Sequence, residues 1–223
     1  MAIATTIQPA SADTFIVNVT PTTNYGTNAL LAVGDSSASA NAAYRTLVKF
    51  SLTGIPSNAV VTAASLSLLE YAAYDTASAG SWSVSLYPLL RNWVQAEATW
   101  NVYSSGNNWS TAGASGAGDV GAAVDSITLD GTAAAAFVAW SGSGLVSLVQ
   151  SWISGATQNY GVAIAALSAE NKGVAPMAAN LFRSTDYGTA GERPKLSIEY
   201  VLGRSLVNSG LMQSQQIAGG TTQ

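Results

Sequence analysis

Apolar and polar residues alternate over much of this chain. In Arg45-Thr-Leu-Val-Lys-Phe50, Arg45, Leu47 and Lys49 share one face and Thr46, Val48 and Phe50 the other. That two-residue period is the mark of a strand. Gly54-Ile-Pro-Ser-Asn58 then supplies turn chemistry, and alternation resumes towards Leu69. The same reading predicts strands over 14–19, 30–33, 45–52, 63–71, 82–89, 161–167, 180–183 and 195–201. Short strands separated by small-residue connections define an all-β chain. Residues 36–43 and 104–121 are rich in Gly, Ser and Ala and read as long surface loops. One helix is predicted, over 145–153, where Leu145, Leu148, Val149 and Trp152 fall at helical spacing before Gly155. Its expected role is to cap one end of a sandwich.

Composition narrows the picture. Hydrophobic residues make up 48% of the 223, enough for a sizeable core. Only 9% are charged, against about 25% in a typical domain. A net charge of −4 leaves no basic patch for nucleic acid, and no run is apolar enough to span a bilayer. A surface so poorly charged is weakly protected against self-association, so packing against copies of itself is expected. The start, Met1-Ala-Ile-Ala, lacks the basic and apolar regions of a secretory signal, so synthesis without such export is expected.

The chain has neither His nor Cys. A Ser-His-Asp site and imidazole or thiolate metal sites are therefore excluded. Carboxylates remain as candidate acid–base groups: Glu97, Asp119, Asp125, Asp130, Asp186 and Glu192. Catalysis is not expected, because loop carboxylates mostly do no chemistry. No cofactor is expected either. A structural calcium ion held by loop carbonyls near Asp119, Asp125 and Asp130 stays open, although the Asp-x-Asp-x-Asp-Gly pattern is missing. The alternative is three exposed loop aspartates. Aromatic residues are the better ligand candidates, since sugars lay apolar C–H faces on rings and offer hydroxyls to amides beside them. Tyr103, Asn107, Asn108 and Trp109 form one such group in a predicted loop, and Tyr71 and Tyr74 a second. Trp82, Trp93, Trp100, Trp140 and Trp152 read as core; Trp109 is open between core and surface.

The order of motifs resembles the DNRLRE-domain family, β-sandwich modules with polysaccharide-binding members. It runs from Asp13-Thr-Phe-Ile-Val and Asn24-Tyr-Gly through the Arg45–Leu69 stretch to Trp93-Val-Gln-Ala-Glu97-Ala-Thr-Trp100. It continues through Leu145–Gly155 and Asn159-Tyr-Gly161 to Phe182-Arg-Ser-Thr-Asp186 and Arg193-Pro-Lys-Leu-Ser-Ile-Glu-Tyr200. Asp186 stands where the family carries Glu. The resemblance implies a jelly-roll-like β-sandwich over 13–201, with an N-terminal arm over 1–12 and a C-terminal arm or tail over 202–223. Leu206, Val207, Leu211 and Ile217 are the apolar anchors with which that tail would contact a neighbouring subunit. The expected function is a non-catalytic virion structural protein, a capsid decoration or tail component, contacting other virion proteins and holding surface polysaccharide. The alternative is a secreted or cell-surface carbohydrate-binding module, located extracellularly.

Overall fold

The computed structural model describes residues 1–36, 42–74, 80–132, 135–168, 170 and 179–203, with the backbone alone at Tyr74. The described strands are β1 (Ile3–Ile7), β2 (Ala12–Val17), β3 (Leu30–Ser36), β4 (Ala42–Lys49), β5 (Ala59–Tyr74), β6 (Ser81–Pro88), β7 (Val102–Ser104), β8 (Asn107–Asn108), β9 (Asp125–Asp130), β10 (Ala136–Trp140), β11 (Val162–Ala165), β12 (Ala179–Arg183) and β13 (Lys195–Leu202). A single α-helix among these residues, α1 (Ser143–Ile153), separates β10 from β11.

Eleven strands form one antiparallel sheet in the order β1-β13-β5-β12-β3-β4-β11-β6-β9, with β10 joined to β5 and β2 to β4. The sixteen-residue β5 serves two partners along one edge, β13 first and β12 further on. The sheet curls until its faces meet, so the fold is an all-β sandwich with one short helix. Between the faces lie Trp140, Phe182, Leu68, Leu86, Ile164 and Ile198, all at most 1% exposed.

The helix confirms the periodicity argument: Leu145, Val149 and Ile153 are buried, with Leu148 and Trp152 packed beside them. The Asp125 carboxylate accepts the Gly142 N–H at 2.6 Å, placing negative charge at the helix start. Gly144 lies against Val124, whose carbonyl a Cβ would strike. Larger residues there would push the helix off β9.

Four segments differ from the sequence reading. Ile3–Ile7, expected within an arm, pairs with β13 from Ile3↔Tyr200 to Ile7↔Leu196, so the sheet begins well before Asp13. Asp125–Asp130 and Ala136–Trp140 are strands rather than connections. Residues 104–121 lie at the surface, half of them exposed, but they also act as a cover. With the segment from Leu89 they cover the outer face of β2, β4 and β11, burying Trp93, Ala98, Trp109, Ala114 and Val120 against Ile16, Leu47 and Ala163. The C-terminal half of β4 is therefore enclosed on both faces: Val48, with Phe50 just past the strand, meets the main core, and Leu47 meets this second one.

Candidate functional site

Next to the second core lies a third cluster, built on Phe15 and Val17 of β2, Ala32 of β3, Ala42 of β4 and Leu181 of β12. On β2 and β4, Phe15, Val17 and Ala42 lie on the strand face opposite to Ile16 and Leu47 of the second core. The 19–28 segment lies over part of it, with Tyr25 stacked on Phe15. The result is a cleft of about 310 Å³ walled chiefly by Phe15, Val17, Tyr25, Leu30, Tyr44 and Leu181.

The rings are arranged in order. Phe15 forms the floor at 8% exposure, and Tyr25 stacks on it at 4.2 Å and 20°. Tyr44 is tilted by 49° at 6.1 Å from Phe15. Tyr25 and Tyr44 are half-buried, so part of each ring faces the cleft opening. The Tyr25 hydroxyl and the Thr20 hydroxyl are 2.9 Å apart, which fixes the ring. Thr20 and Asn28 add polar groups to the wall, and Val19 stays 42% exposed beside them. An apolar slot with a few polar groups at its edge suits a ligand with one apolar face and peripheral hydroxyls.

Beside the cleft, Arg183 lies over Tyr71 and Tyr187, 3.8 Å from each ring centroid. Its Nε is 3.4 Å from the Glu192 carboxylate. The turn carrying Tyr187 is tied to β2 by Asp13, whose carboxylate accepts the Thr185 N–H at 2.7 Å. Burial raises the Asp13 pKa to about 6; the hydrogen bonds from Thr185 oppose the rise and the charge of Asp186 adds to it. The folded carboxyl thus keeps its proton to higher pH than the unfolded one. Its contribution to stability is full below the unfolded pKa of 3.8 and is lost as pH rises through about 6. The linkage is on the order of 3 kcal/mol. Asp13→Asn removes it and is expected to stabilise the protein by about 1–2 kcal/mol above pH 7, since an amide replaces the acid's contacts imperfectly. Thermal melts of both forms from pH 4 to 8 check this; a difference independent of pH would refute it.

The residues singled out from the sequence lie elsewhere or play other parts. Trp109 is a correction: it is 4% exposed, with its indole N–H donating to the Thr99 carbonyl at 2.9 Å. It is a core anchor of the second cluster and presents no ring face to a ligand. Tyr103 is half-buried against it, with ring centroids 5.5 Å apart. Asn107 is exposed but donates to the Ser104 hydroxyl and the Ser105 carbonyl, and Asn108 pairs with Val102 in the β7–β8 hairpin. Tyr71 packs beside the third cluster under Arg183. The side chain of Tyr74 and the tail residues Leu206, Val207, Leu211 and Ile217 lie outside the described residues.

The carboxylates mostly organise backbone. Glu97 accepts the Ser105 N–H, Asp130 accepts from Thr132, and Asp125 accepts from Ser126 and Gly142. Asp119, one of the three aspartates read as exposed in the absence of calcium, is instead fully covered. Among the described residues no three acidic side chains gather where a metal ion could be held.

Phe15 and Tyr44 were not anticipated as site residues. No local pattern joins them, because they meet only when β2 and β4 pair with Phe15 opposite Thr46 and Val17 opposite Tyr44. Tyr25 did carry a signal, lying in the Asn24-Tyr-Gly26 loop. Asn24 fixes that loop by donating to the Gln95 and Ala98 carbonyls, each at 2.7 Å.

A β-sandwich with a ring-lined cleft on a sheet face has the architecture of a ligand-binding module. The family comparison specifies which: the model of carbohydrate-binding module family 96 matches residues 4–179, and the chain belongs to that family. The matched span begins within β1. No curated protein matches the chain.

Proposed function

We propose that this chain is a non-catalytic, extracellular module that binds polysaccharide in the cleft of Phe15, Tyr25 and Tyr44. The observation that carries the reading is the open aromatic cleft on a member of a carbohydrate-binding family. Tyr25 and Tyr44 would stack on sugar faces, and Thr20 and Asn28 would meet hydroxyls. The order of motifs over 13–201 that resembles DNRLRE domains overlaps the matched span and agrees with this role. The virion role expected from the sequence gains no support from the fold.

Affinity electrophoresis against a panel of soluble polysaccharides tests the site. Tyr25→Ala and Tyr44→Ala are each expected to weaken retention by about tenfold or more, roughly 1.4 kcal/mol, while Asn107→Ala leaves it unchanged. Loss in Asn107→Ala with the cleft variants unaffected would return the site to the 103–109 segment.

A further inference from the structure

We propose that Gln95 is a positioning residue of the cleft: its side-chain amide holds the strand that carries Phe15 and the loop that carries Tyr25 at the spacing that stacks the two rings. This rests on the reading of the cleft as the glycan site and goes on to what sets its shape.

The two rings reach the cleft by different routes. Phe15 sits in β2, which pairs with β4 from Ala12 to Val17. Tyr25 belongs to the described connection between β2 and β3, which is in no strand. A ring on a loop is ready to stack only if the loop is tied down. A loop that samples other positions lowers the fraction of molecules competent to bind. The ends of this loop are held elsewhere: the Pro21 carbonyl accepts the Asn101 N–H at 3.2 Å, and the Asn28 carbonyl accepts the Ser184 hydroxyl at 2.6 Å.

Its middle is held by the 95–98 turn, on both sides of Tyr25. Before the ring, Asn24 Nδ2 donates to the Gln95 and Ala98 carbonyls. After it, the Gly26 carbonyl accepts from Gln95 Nε2 at 2.5 Å. The other end of that amide, Gln95 Oε1, accepts the Asp13 N–H at 3.3 Å. Asp13 lies two residues before Phe15. One side chain thus joins the backbone of β2 to the backbone beside Tyr25, and the rings those backbones carry are 4.2 Å apart.

An amide suits both ends of this bridge. Asp13 offers an N–H and Gly26 a carbonyl, so one planar group must accept and donate. Gly26 completes the fit: it is buried, and a Cβ there would lie 2.2 Å from the Gln95 carbonyl oxygen. Neither Gln95 nor Asn24 is among the described residues lining the cleft, so their effect on a ligand passes through Tyr25. The turn itself is fixed without Asp119. The Trp93 indole N–H donates to the Tyr160 carbonyl at 2.8 Å, and the Ala98 N–H to the Val94 carbonyl at 2.8 Å.

Three substitutions in the full chain test this. Gln95→Met keeps the length of the side chain and removes both of its bonds. Gly26→Ala pushes the loop off the same anchor. Gln150→Met is the reference, because its amide also bridges two backbone groups, accepting the Val61 N–H at 2.8 Å and donating to the Ala59 carbonyl at 3.1 Å, away from the cleft wall. Affinity electrophoresis is run against soluble glucan, mannan, galactan, polyuronate and sulfated galactan, below the melting temperature of every variant. On each polymer that retards the wild type, Gln95→Met and Gly26→Ala are expected to lose about tenfold in affinity and Gln150→Met to keep it. Nuclear Overhauser contacts between the Phe15 and Tyr25 rings should weaken in the first two and persist in the third. Unchanged ring contacts in Gln95→Met would overturn the proposal, whatever the affinity, as would an equal loss of affinity in Gln150→Met. Weakened ring contacts with full affinity would support the hold of Gln95 on Tyr25 and refute the cleft as the glycan site. A wild type retarded by no polymer would refute the glycan reading, and the ring contacts alone would then support or overturn the role of Gln95.

Discussion

Arg45→Met is expected to destabilise the fold by about 3–5 kcal/mol, the usual cost of stranding one partner of a buried ion pair. Arg45 and Glu170 are both nearly excluded from solvent, with side-chain exposures of 9% and 2% and an Nη2 to Oε2 distance of 2.8 Å. The Arg45 Nε donates to the same oxygen at 2.8 Å, Nη1 donates to the Gly113 carbonyl at 2.5 Å, and the guanidinium lies 4.5 Å from the Trp100 ring centroid. Glu170 Oε1 accepts the Ala166 N–H at 3.1 Å. Burial nonetheless raises the Glu170 pKa: the attraction of Arg45 and the hydrogen bonds oppose it without cancelling it, and the charge of Asp35 adds to the rise.

Methionine keeps the aliphatic bulk but leaves that carboxylate without a counter-ion and the Gly113 carbonyl without its donor. For a chain of this size the loss corresponds to a fall in melting temperature of roughly 6–20 °C. Two companion measurements separate the charge effect from packing. The deficit should shrink in acid, where Glu170 takes up a proton and needs no partner. Arg45→Met combined with Glu170→Leu should recover more than half of the loss, because an apolar pair of similar volume tolerates the site. Additive losses in the double variant would show that Arg45 acts through packing alone.

Arg45 also shows where sequence reading stops. Alternation placed Arg45, Leu47 and Lys49 on one strand face, and the structure agrees. Alternation alone does not distinguish a solvated edge charge from an internal ion-pair partner at Arg45. The deciding fact is the 89–121 cover, which turns the outer face of β4 into an interior and brings Gly113 onto the guanidinium. Glu170 and Gly113 are 125 and 68 residues from Arg45, and no periodicity reports pairing at that range. The same limit explains Trp109. Its neighbours in sequence are Asn and Ser, so it looked as exposed as it did buried, while its packing partners come from distant strands. β9 is a different case. Ile127 and Leu129 alternate with Ser126 and Thr128, but flanking aspartates disguised the strand as a turn. The cleft was the least legible part. Phe15 and Tyr25 lay in motifs of the family resemblance without being marked as parts of one site, and Phe15 and Tyr44 acquire their shared meaning from the β2–β4 register.

Asp119→Ala is expected to cost about 3–5 kcal/mol, through lost acceptors rather than lost volume. The Asp119 carboxylate has no exposed surface and accepts from Ser110 N at 2.8 Å, Ser110 Oγ at 2.7 Å, Thr111 N at 2.9 Å and Gly116 N at 3.3 Å. Arg91 stands 3.6 Å away. Burial pushes its pKa up, but the hydrogen bonds from Ser110, Thr111 and Gly116 outweigh that, and the net value falls below the ordinary 3.8. The carboxylate's stabilising effect is therefore present above that pH and is lost as pH falls through the lowered value. Alanine leaves three backbone N–H groups without their acceptor in the segment that roofs the second core. Asp119→Asn should be nearly as damaging, because its amide nitrogen would point a donor at donors. Since the roof carries Trp109 and Trp93, its loosening is expected to change tryptophan emission ahead of the global transition in urea. The ring-lined cleft belongs to the neighbouring cluster, built from β2, β3, β4 and β12, so glycan retention should persist below the melting temperature. Emission that changes only with the global transition would show the roof and the sandwich to be one cooperative unit, with Asp119 supporting both.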